Sequence, residues 1–240
     1  MIVNLMHGDC LEKMKQIKSG TIHAVIADMP YGTTRCKWDS ILDLSAVWCE
    51  LERLITENGV VILTAAQPFT SVLTCSNLKM FKYDLVWDKP AGTGFFNAKK
   101  MPLRNHESIL VFYKKLPTYN PQMTHGHERK TASRGDAKSE VYGKALKTTS
   151  YDSTSRYPRS IQRFSSDKQK VSLHPTQKPL LLMEWLIKTY TNEGDFVLDF
   201  CMGSGITGLA AKNLNRNFHG IELDERYFEM ASKRIGEING

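Results

Sequence analysis

The sequence lacks paired cysteines. Its five cysteines are an odd number and stand far apart, at Cys10, Cys36, Cys49, Cys75 and Cys201. A disulfide framework and a zinc site both require short, paired spacings, so neither is predicted, and we expect no metal centre. Scattered thiols of this kind fit a reducing compartment. We therefore expect the protein to act in the cytoplasm.

Long hydrophobic runs are also missing. Apolar stretches such as 24–27 and 60–66 have the length of a strand, whereas a membrane-spanning helix needs about 20 apolar residues. The first four residues, Met1-Ile2-Val3-Asn4, do not show the basic region and apolar run of a signal peptide. We therefore expect neither a membrane location nor secretion.

Acidic residues are scarce in one long segment. The chain has a formal net charge of +7, and residues 114 to 170 contain thirteen Lys and Arg against five Asp and Glu, a local net charge of +8. The rest of the chain is close to neutral. Positive charge concentrated in this way predicts a polyanionic partner, with a solvated, mobile loop as the alternative.

Apolar strand-sized runs alternate with amphipathic segments along the chain. Buried strands are predicted at 21–28 and 59–65, and a helix over 41–57 is predicted to end at Asn58-Gly59. The other predicted strands are 83–87, 108–113, 195–200 and 218–223, and the other predicted helices are 179–191, 205–214 and 225–235. This alternation is typical of an α/β fold with a doubly wound, largely parallel sheet.

A glycine-rich turn follows the predicted strand 195–200. The sequence Gly203-Ser204-Gly205-Ile206-Thr207-Gly208 leads into a helix, and Glu222 ends the next strand. Glycines let the backbone turn tightly against a ligand, and an acidic side chain in this position accepts hydrogen bonds from ribose hydroxyls. The pattern predicts a nucleotide-type cofactor, and the spacing suits a nicotinamide dinucleotide as well as S-adenosylmethionine.

A second motif, Asp28-Met29-Pro30-Tyr31, follows the first buried strand. In doubly wound folds the carboxyl ends of the strands form the edge at which ligands bind. A carboxylate, a proline-stiffened turn and an exposed ring suit the binding of a flat base through its amino group and its face. The alternative is a plain turn, because acid-X-Pro-aromatic strings also occur by chance.

Several segments stand in a distinctive order. They are His7-Gly8-Asp9-Cys10, Asp28-Met29-Pro30-Tyr31-Gly32-Thr33, Trp38-Asp39, Arg104-Asn105-His106-Glu107-Ser108-Ile109-Leu110-Val111-Phe112, His174-Pro175-Thr176-Gln177-Lys178-Pro179, and Asp199 through Gly208 with Glu222. Their order resembles that of the beta group of DNA amino-methyltransferases, which methylate N6 of adenine or N4 of cytosine. The resemblance implies the Rossmann-like methyltransferase fold, with a catalytic half at 1–113, an inserted target-recognition region at 114–172 and a cofactor-binding half at 173–240.

The resemblance also implies roles for the site residues. Asp28 and the carbonyl of Met29 accept the two amine hydrogens, Pro30 stiffens the turn, and Tyr31 stacks on a base flipped from double-stranded DNA. The implied cofactor is S-adenosylmethionine. Its implied binding residues are Asp9 and Cys10 beside the adenine, Glu222 at the ribose, Lys178 and Pro179 on the opposite wall, and Asp199, Phe200, Cys201, Gly203, Ser204 and Gly205 around the turn.

Two positions depart from the family pattern. Met29 replaces the first proline of D-P-P-Y, and we expect activity to survive because any residue supplies a backbone carbonyl. Phe200-Cys201 stands where the family has Pro-Phe, so the packing beside the adenine is expected to differ. Three residues have simpler alternative roles: Asp9 as a helix cap, Cys10 in packing, and Lys178 as a solvated charge.

The sequence thus predicts a site-specific DNA methyltransferase. An Asp at the head of the motif favours adenine N6 by family habit, with cytosine N4 as the alternative. Carbon-5 methylation is not expected, because no cysteine follows a strand-end proline. A nicotinamide-dependent oxidoreductase would explain Glu222 and its glycine turn but would leave Asp28 and the basic segment without a role. RNA base-amine methyltransferases share D/N-P-P-Y but usually place the cofactor loop ahead of it, whereas here the loop follows. The presence of Asp28, Pro30 and Tyr31 speaks against a non-catalytic DNA-binding relative, and a homodimer and a cognate restriction enzyme remain open.

Overall fold

The computed structural model describes residues 1–32, 42–134, 138–139, 143–144, 149–165 and 177–236. These residues form two compact units, a larger one of Met1–Asn120 with Ser160–Gly240 and a smaller one of Pro121–Arg159. The smaller unit falls within the predicted insertion of 114–172, whose functional assignment stays a prediction, as do the two halves at 1–113 and 173–240. Cys36, Trp38-Asp39 and His174-Pro175-Thr176 lie outside the described residues.

Strands and helices alternate along the larger unit. The strands among the described residues are β1 Val3–His7, β2 Ile22–Ala27, β3 Ile55–Ala65, β4 Phe81–Thr93, β5 Arg104–Tyr113, β6 Lys130–Arg134, β7 Lys138–Ser139, β8 Gly143–Lys144, β9 Thr149–Ser153, β10 Ile161–Arg163, β11 Phe196–Asp199 and β12 Asn217–Glu222. The helices are α1 Cys10–Met14, α2 Leu44–Leu54, α3 Phe69–Ser76, α4 Leu180–Tyr190, α5 Ile206–Asn213 and α6 Glu225–Gly236. A 3-10 turn, Phe95–Asn97, lies between β4 and β5.

Eight strands of the larger unit form one sheet in the order β1-β12-β11-β2-β3-β5-β4-β10. Among these described strands β5 alone is antiparallel to its neighbours, β3 and β4. The other pairs are parallel. β2, β3 and β4 therefore run in the same direction, and their carboxyl ends lie at one edge with those of β11 and β12.

The helices cover both faces of this sheet. Val25 packs on one face with Met14, Leu51 and Leu73, which come from α1, α2 and α3. Ala24, its neighbour in β2, packs on the other face among residues of α4, α5 and α6, such as Leu186, Ala210 and Ile235. A strand that is buried on both faces has a continuous apolar sequence. The predicted doubly wound, largely parallel α/β fold is confirmed.

The helix predicted over 41–57 was too long at its carboxyl end. α2 begins after Asp43, which accepts hydrogen bonds from the backbone N–H groups of Ser45 and Ala46 (2.9 and 3.3 Å), and it ends at Leu54. Ile55 pairs with Ile22 of β2, because β-branched residues prefer an extended strand. The predicted helix stop at Gly59 was therefore wrong. A Cβ at Gly59 would lie 3.1 Å from the carbonyl oxygen of Ile22, so this glycine permits close strand pairing.

The smaller unit contains two short antiparallel strand pairs. β6 pairs with β9, and β7 pairs with β8. Arg129 contacts both carboxylate oxygens of Asp152 (2.8 and 2.7 Å) across the first pair. Arg156 donates to the carbonyl oxygens of Ser153 and Ser155 (2.9 and 2.8 Å). Some of the basic side chains in this unit therefore support its own backbone.

The helices of the described residues are short. None of them combines the length and the apolar composition that a membrane-spanning helix requires.

Candidate functional site

A cavity of about 500 Å³ opens at the edge of the sheet where the parallel strands end. It is lined by Asp9 and Cys10 after β1, by 28–31 after β2, by Thr64 on β3, by the turn after β11 and by Glu222 at the end of β12. Gln177 and Lys178 complete one wall. Both predicted motifs, far apart in sequence, therefore meet in one cavity.

Thirteen of the fifteen predicted site residues line this cavity, namely Asp9, Cys10, Asp28, Met29, Pro30, Tyr31, Lys178, Asp199, Phe200, Cys201, Gly203, Ser204 and Glu222. Pro179 and Gly205 do not line it. Pro179 is the residue that precedes α4, and Gly205 packs against α6, where a Cβ would lie 2.8 Å from that of Ala231. These two residues therefore support neighbouring elements, α4 and α6, and do not line the cavity.

The Asp28 carboxylate has an unequal set of hydrogen bonds. Its Oδ1 accepts from the Tyr31 hydroxyl and from the Thr64 hydroxyl, both at 2.5 Å. Its Oδ2 accepts from the Lys178 ammonium at 2.5 Å. Each carboxylate oxygen has two lone pairs, so Oδ1 is filled and Oδ2 keeps one acceptor position. Oδ2 is therefore the atom of Asp28 that is suited to receive a ligand N–H.

Lys178 lies between two carboxylates and is only 4% exposed. Its ammonium forms ion pairs with Asp28 at 2.5 Å and Glu107 at 3.2 Å. Burial opposes the charge, but the field of Asp28, together with Tyr31 and Glu107, outweighs it and holds the pKa of Lys178 well above its usual value. The interpretation of Lys178 as a solvated charge was wrong, and its ammonium faces the candidate catalytic carboxylate.

Glu107 extends this charged cluster towards β4. It forms a second ion pair with Lys89, whose ammonium lies 4.7 Å from the centre of the Trp87 ring. Burial raises the pKa of Glu107, but the charges of Lys178 and Lys89 outweigh that effect and lower it below its usual value. The two cations thus balance the charge of the two carboxylates, which lowers the free-energy cost of burying these four groups.

Tyr31 is held on several sides. Its ring stacks on Phe69, with centroids 5.6 Å apart and planes inclined by 24°, and the Lys178 ammonium lies 5.8 Å from its centroid. Burial, reinforced by the charge of Asp28, raises the pKa of Tyr31 well above its usual value. The hydroxyl is therefore a stable donor to Asp28. Met29 beside it is 1% exposed, so its side chain serves the core.

The glycine turn is fixed by Glu222. The backbone N–H groups of Gly203 and Asp224 donate to the two oxygens of its carboxylate, at 2.8 and 2.9 Å. Gly203 has a φ of +50°, and a Cβ there would meet nothing within 4 Å. This glycine therefore gives a ligand direct access to the backbone.

Ser204, the next residue of the turn, is held by residues from outside the turn. Its hydroxyl donates to Oε1 of Gln177 at 3.1 Å, and Arg234 donates to its carbonyl oxygen at 2.8 Å. Ser204 is therefore tied both to the segment before α4 and to α6.

Asp199 adds a buried carboxylate to the cavity wall. Burial raises its pKa to about 7, although hydrogen bonds from Thr207 and from the backbone of Cys201 oppose the shift. The thiols of Cys10 and Cys201 are hydrogen-bonded to each other. This contact, followed by burial, raises the pKa of Cys201 well above its usual value, which makes Cys201 a poor nucleophile.

Asp9 has two roles that the sequence posed as alternatives. Its carboxylate caps α1 by accepting from the backbone N–H of Glu12 at 3.1 Å, and it also lines the cavity. Cys10 is 7% exposed, as expected for a packing residue, and it lines the cavity too.

The residues missed as candidates from sequence include Thr64, Glu107 and Gln177, which line the cavity, and Arg234, which holds Ser204. Glu107 and Gln177 lie inside segments already noted for their family resemblance, and Thr64 is the polar interruption of the apolar run 60–65. Arg234 lies in a helix whose position beside Ser204 depends on tertiary packing, and no local sequence signal indicates it.

A doubly wound sheet with a glycine turn, a strand-end acid and a buried carboxylate in one cavity defines a class of cofactor-dependent enzymes. A family model described as DNA methylase matches residues 22–233. The chain belongs to this family, and its class is that of the DNA methyltransferases.

Known proteins match the chain over nearly its whole length. It is 28% identical to the type II methyltransferase M1.MboII of Moraxella bovis, over 98% of both chains. It is 27% identical to the DNA adenine methyltransferase YhdJ of Escherichia coli (strain K12), over 96% of this chain and 82% of that one. The crystal structure of the M1.HpyAVI–SAM complex matches with a TM-score of 0.69 and 26% identity, over 98% and 99% of the two chains.

Proposed function

We propose that this protein transfers a methyl group from S-adenosylmethionine to N6 of adenine in a specific double-stranded DNA sequence, after the adenine has been flipped out of the helix. One observation supports this proposal above the others. The Asp28 carboxylate, with Oδ1 filled and one acceptor position left on Oδ2, lies in the same cavity as Gly203 and Glu222. An acceptor for an amine and a nucleotide-type turn are therefore adjacent.

The residues of the cavity fit this cofactor. Small-molecule sites usually have volumes of about 300–1,000 Å³, and this cavity has about 500 Å³. Glu222 suits the ribose hydroxyls, because each of its oxygens accepts one backbone N–H and retains a second lone pair. Asp199 provides a buried carboxyl group whose pKa is about 7, and a ligand that carries positive charge would favour its ionised form.

The chemistry of the reaction requires an activated amine. S-adenosylmethionine supplies a methyl group bound to a positively charged sulphur. The lone pair of an exocyclic amine is delocalised into the base ring, and acceptors for its two hydrogens help to localise it on nitrogen. In the proposal Asp28 Oδ2 accepts one hydrogen, and the backbone carbonyl of Met29 accepts the other.

The neighbouring side chains hold Asp28 for this task. Thr64 and Tyr31 fix Oδ1, and Lys178 compensates its charge. As nitrogen forms its bond to the methyl carbon, the bond from that carbon to sulphur breaks, and the amine gives up a proton along its hydrogen bond to Oδ2. Positioning of this kind contributes up to about 7–11 kcal/mol in well-oriented systems.

The choice of adenine rests on the motif and on one relative. Asp heads the motif at position 28, and the Escherichia coli relative is named a DNA adenine methyltransferase. The second candidate is N4 of cytosine, because a carboxylate and a carbonyl bind either exocyclic amine equally well. A nicotinamide-dependent oxidoreductase is not favoured, because that function would leave Asp28 without a role.

The proposal also assigns a role to the basic region of the chain and suggests a partner enzyme. We assign target recognition to the region 114–172, which has a local net charge of +8. Binding through phosphates should weaken steeply as salt increases. The type II name of the Moraxella bovis relative suggests a cognate restriction enzyme as a further partner.

The test combines sequencing with one matched pair of variants. DNA from cells that express the protein is read by methylation-sensitive long-read sequencing, which reports the modified base and its sequence context together. Asp28→Asn should abolish the modification and retain binding of labelled S-adenosylmethionine. Asp84→Asn, at an exposed position on β4, is the control and should change neither. Full methylation by D28N would contradict the proposed catalytic role, and methylated cytosine would replace adenine as the target.

A further inference from the structure

Two adjacent phenylalanines are exposed at the tip of the β4–β5 hairpin. Phe95 is 73% exposed and Phe96 is fully exposed, although both are large apolar residues. Single apolar residues on a surface are common, but two neighbouring aromatic rings without cover are unusual and indicate a contact surface. The feature lies outside the cavity described above.

The tip is an ordered turn. Gly94 has a φ of +92°, and the backbone N–H of Asn97 donates to its carbonyl oxygen at 2.9 Å. The carbonyl oxygen of Asn97 in turn accepts from the N–H groups of Lys100 and Met101 at 2.8 and 3.0 Å. The rings therefore extend from a fixed backbone, which lowers the entropy cost of inserting them into a partner.

The hairpin starts at the edge of the sheet that carries Asp28. β2 is parallel to β3, and β3 and β4 are each antiparallel to β5, so β4 runs parallel to β2. The carboxyl ends of β2 and β4 therefore share one edge. The tip is thus attached on the side of the molecule to which a target base must come.

Ion pairs fix the base of the hairpin to the candidate catalytic carboxylate. Lys89 on β4 pairs with Glu107 on β5, Glu107 pairs with Lys178, and Lys178 pairs with Asp28. This continuous chain of buried charges sets where the hairpin stands relative to Asp28. A rigid link is what a group needs if it is to act on DNA at a set distance from the reacting base.

The charge of the hairpin suits a polyanion. Residues 89–106 include Lys89, Lys99, Lys100 and Arg104 and contain no Asp or Glu. Lys99 and Lys100 are exposed beside the two rings. Aromatic or aliphatic wedges flanked by basic residues are a known means by which proteins open a base step, with the cations held to the phosphates.

We propose that Phe95 and Phe96 form a wedge that enters the DNA duplex at the target nucleotide and occupies the space that the flipped base leaves. This inference rests on the proposed function, since it assumes a base-flipping methyltransferase. The phenylalanines are positioning residues: they touch the duplex, and the reacting amine is bound by Asp28. Unpairing and unstacking of the target base carry the free-energy cost that the wedge offsets.

The test uses two duplexes that contain the site mapped in cells expressing the wild-type protein. One is fully paired, and the other has an abasic position opposite the target base, so that pairing no longer holds this base in the helix. The double variant F95A/F96A is compared with Leu78→Ala. Leu78 is 64% exposed and precedes β4, at the opposite edge of the sheet. All variants are checked for unchanged thermal unfolding and unchanged S-adenosylmethionine binding.

On the paired duplex we expect F95A/F96A to lose about 10- to 100-fold in kcat/KM, and on the abasic duplex no more than about 3-fold. L78A should match the wild type on both. An equal loss on the two duplexes, no loss on either, or a change of oligomeric state in F95A/F96A would each overturn the wedge. D28N is measured on the same duplexes, and full activity of D28N would contradict the proposed function independently of the hairpin variants.

Discussion

The ammonium of Lys178 lies 2.5 Å from Oδ2 of Asp28, although 150 residues separate the two in sequence. The pair joins the segment before α4 to the end of β2. It also makes the candidate catalytic carboxylate part of a buried cluster with Glu107 and Lys89, so the geometry of Asp28 depends on groups from three parts of the chain.

Replacing Lys178 by methionine should reduce methyl transfer by about 100- to 1,000-fold, comparable to the loss of one preorganised electrostatic group. It should also destabilise the fold by about 3–5 kcal/mol, because Asp28 loses its cation and Glu107 keeps Lys89 alone of its two cations. Despite burial, Lys178 and Lys89 hold the pKa of Glu107 below its usual value, so this pKa should rise in K178M, and the activity of the variant should fall at a higher pH on the acid side than that of the wild type.

Two measurements separate the catalytic and structural effects of K178M. The pH profile of methyl transfer is recorded below the unfolding temperature, and folding is measured by urea titration. Lys15→Ala, which removes an exposed ion pair with Glu12, is the control and should alter neither. A normal pH profile in K178M would mean that Lys178 acts only through stability.

Tyr31→Phe tests the hydroxyl of Tyr31 separately from its ring. Hydrogen bonds to charged groups contribute about 1.5–3 kcal/mol, so the loss of the donor to Oδ1 should lower kcat by about 10- to 100-fold. Thr64→Val removes the second donor to the same oxygen. Because both donors bind Oδ1, their effects should not add in the double variant Y31F/T64V. Strict additivity of the two effects on kcat would indicate independent roles.

Asp199 should make the stability of the protein depend on pH. In the folded state the Asp199 carboxyl has a pKa of about 7 and keeps its proton below that pH. In the unfolded state an aspartic acid loses its proton near pH 4. The folded state thus binds more protons between these values, and the free energy of unfolding should fall by about 1.4 kcal/mol per pH unit as pH rises, and then level off above pH 7.

Asp199→Asn should remove this slope, which urea unfolding at pH 5, 6, 7 and 8 measures directly. Asp84→Asn, on the exposed face of β4, should retain the wild-type slope. An unchanged slope in D199N would show that another group causes the pH dependence.

Two glycines of the turn should respond differently to alanine. Gly203 lines the cavity and a Cβ there would meet no atom within 4 Å, so G203A should weaken S-adenosylmethionine binding by about 10-fold or more by hindering close approach to this backbone. At Gly205 the Cβ would lie 2.8 Å from that of Ala231, so G205A should lower stability, by about 1–3 kcal/mol. Calorimetric binding and thermal unfolding distinguish the two effects. Equal losses of binding and stability in both variants would contradict this division.

The sequence predicted most of the fold because its local signals were strong. The runs 22–27 and 60–65 are apolar except for His23 and Thr64, and the glycine turn stands directly between a strand and a helix. β1, α1 and α3 were not predicted. All five residues of β1 are exposed or partly buried, in no alternating order, and its partner is β12 at the far end of the chain. Only tertiary pairing identifies such a strand.

The candidate site was predicted in part for the same reason. Asp28 and Glu222 end strands and could be identified locally. The pairing of Lys178 with Asp28 and Glu107 could not be identified locally. Lysine is usually an exposed residue, and this one is buried only because two acidic residues from other elements surround it. That activity survives Met29 in place of the first proline stays a prediction, and the structure adds that its side chain is 1% exposed in the core.

The single antiparallel strand of the described sheet, β5, has a consequence for how this enzyme can diversify. The carboxyl end of a strand in a parallel pair is usually followed by a helix that packs on the sheet before the next strand begins. β4 and β5 are instead joined by a hairpin at the reactive edge, so Glu107 reaches the site from near the beginning of a strand and no α-helix lies between the two strands. The tip of the hairpin is free to change in length and composition while both helical layers remain as they are.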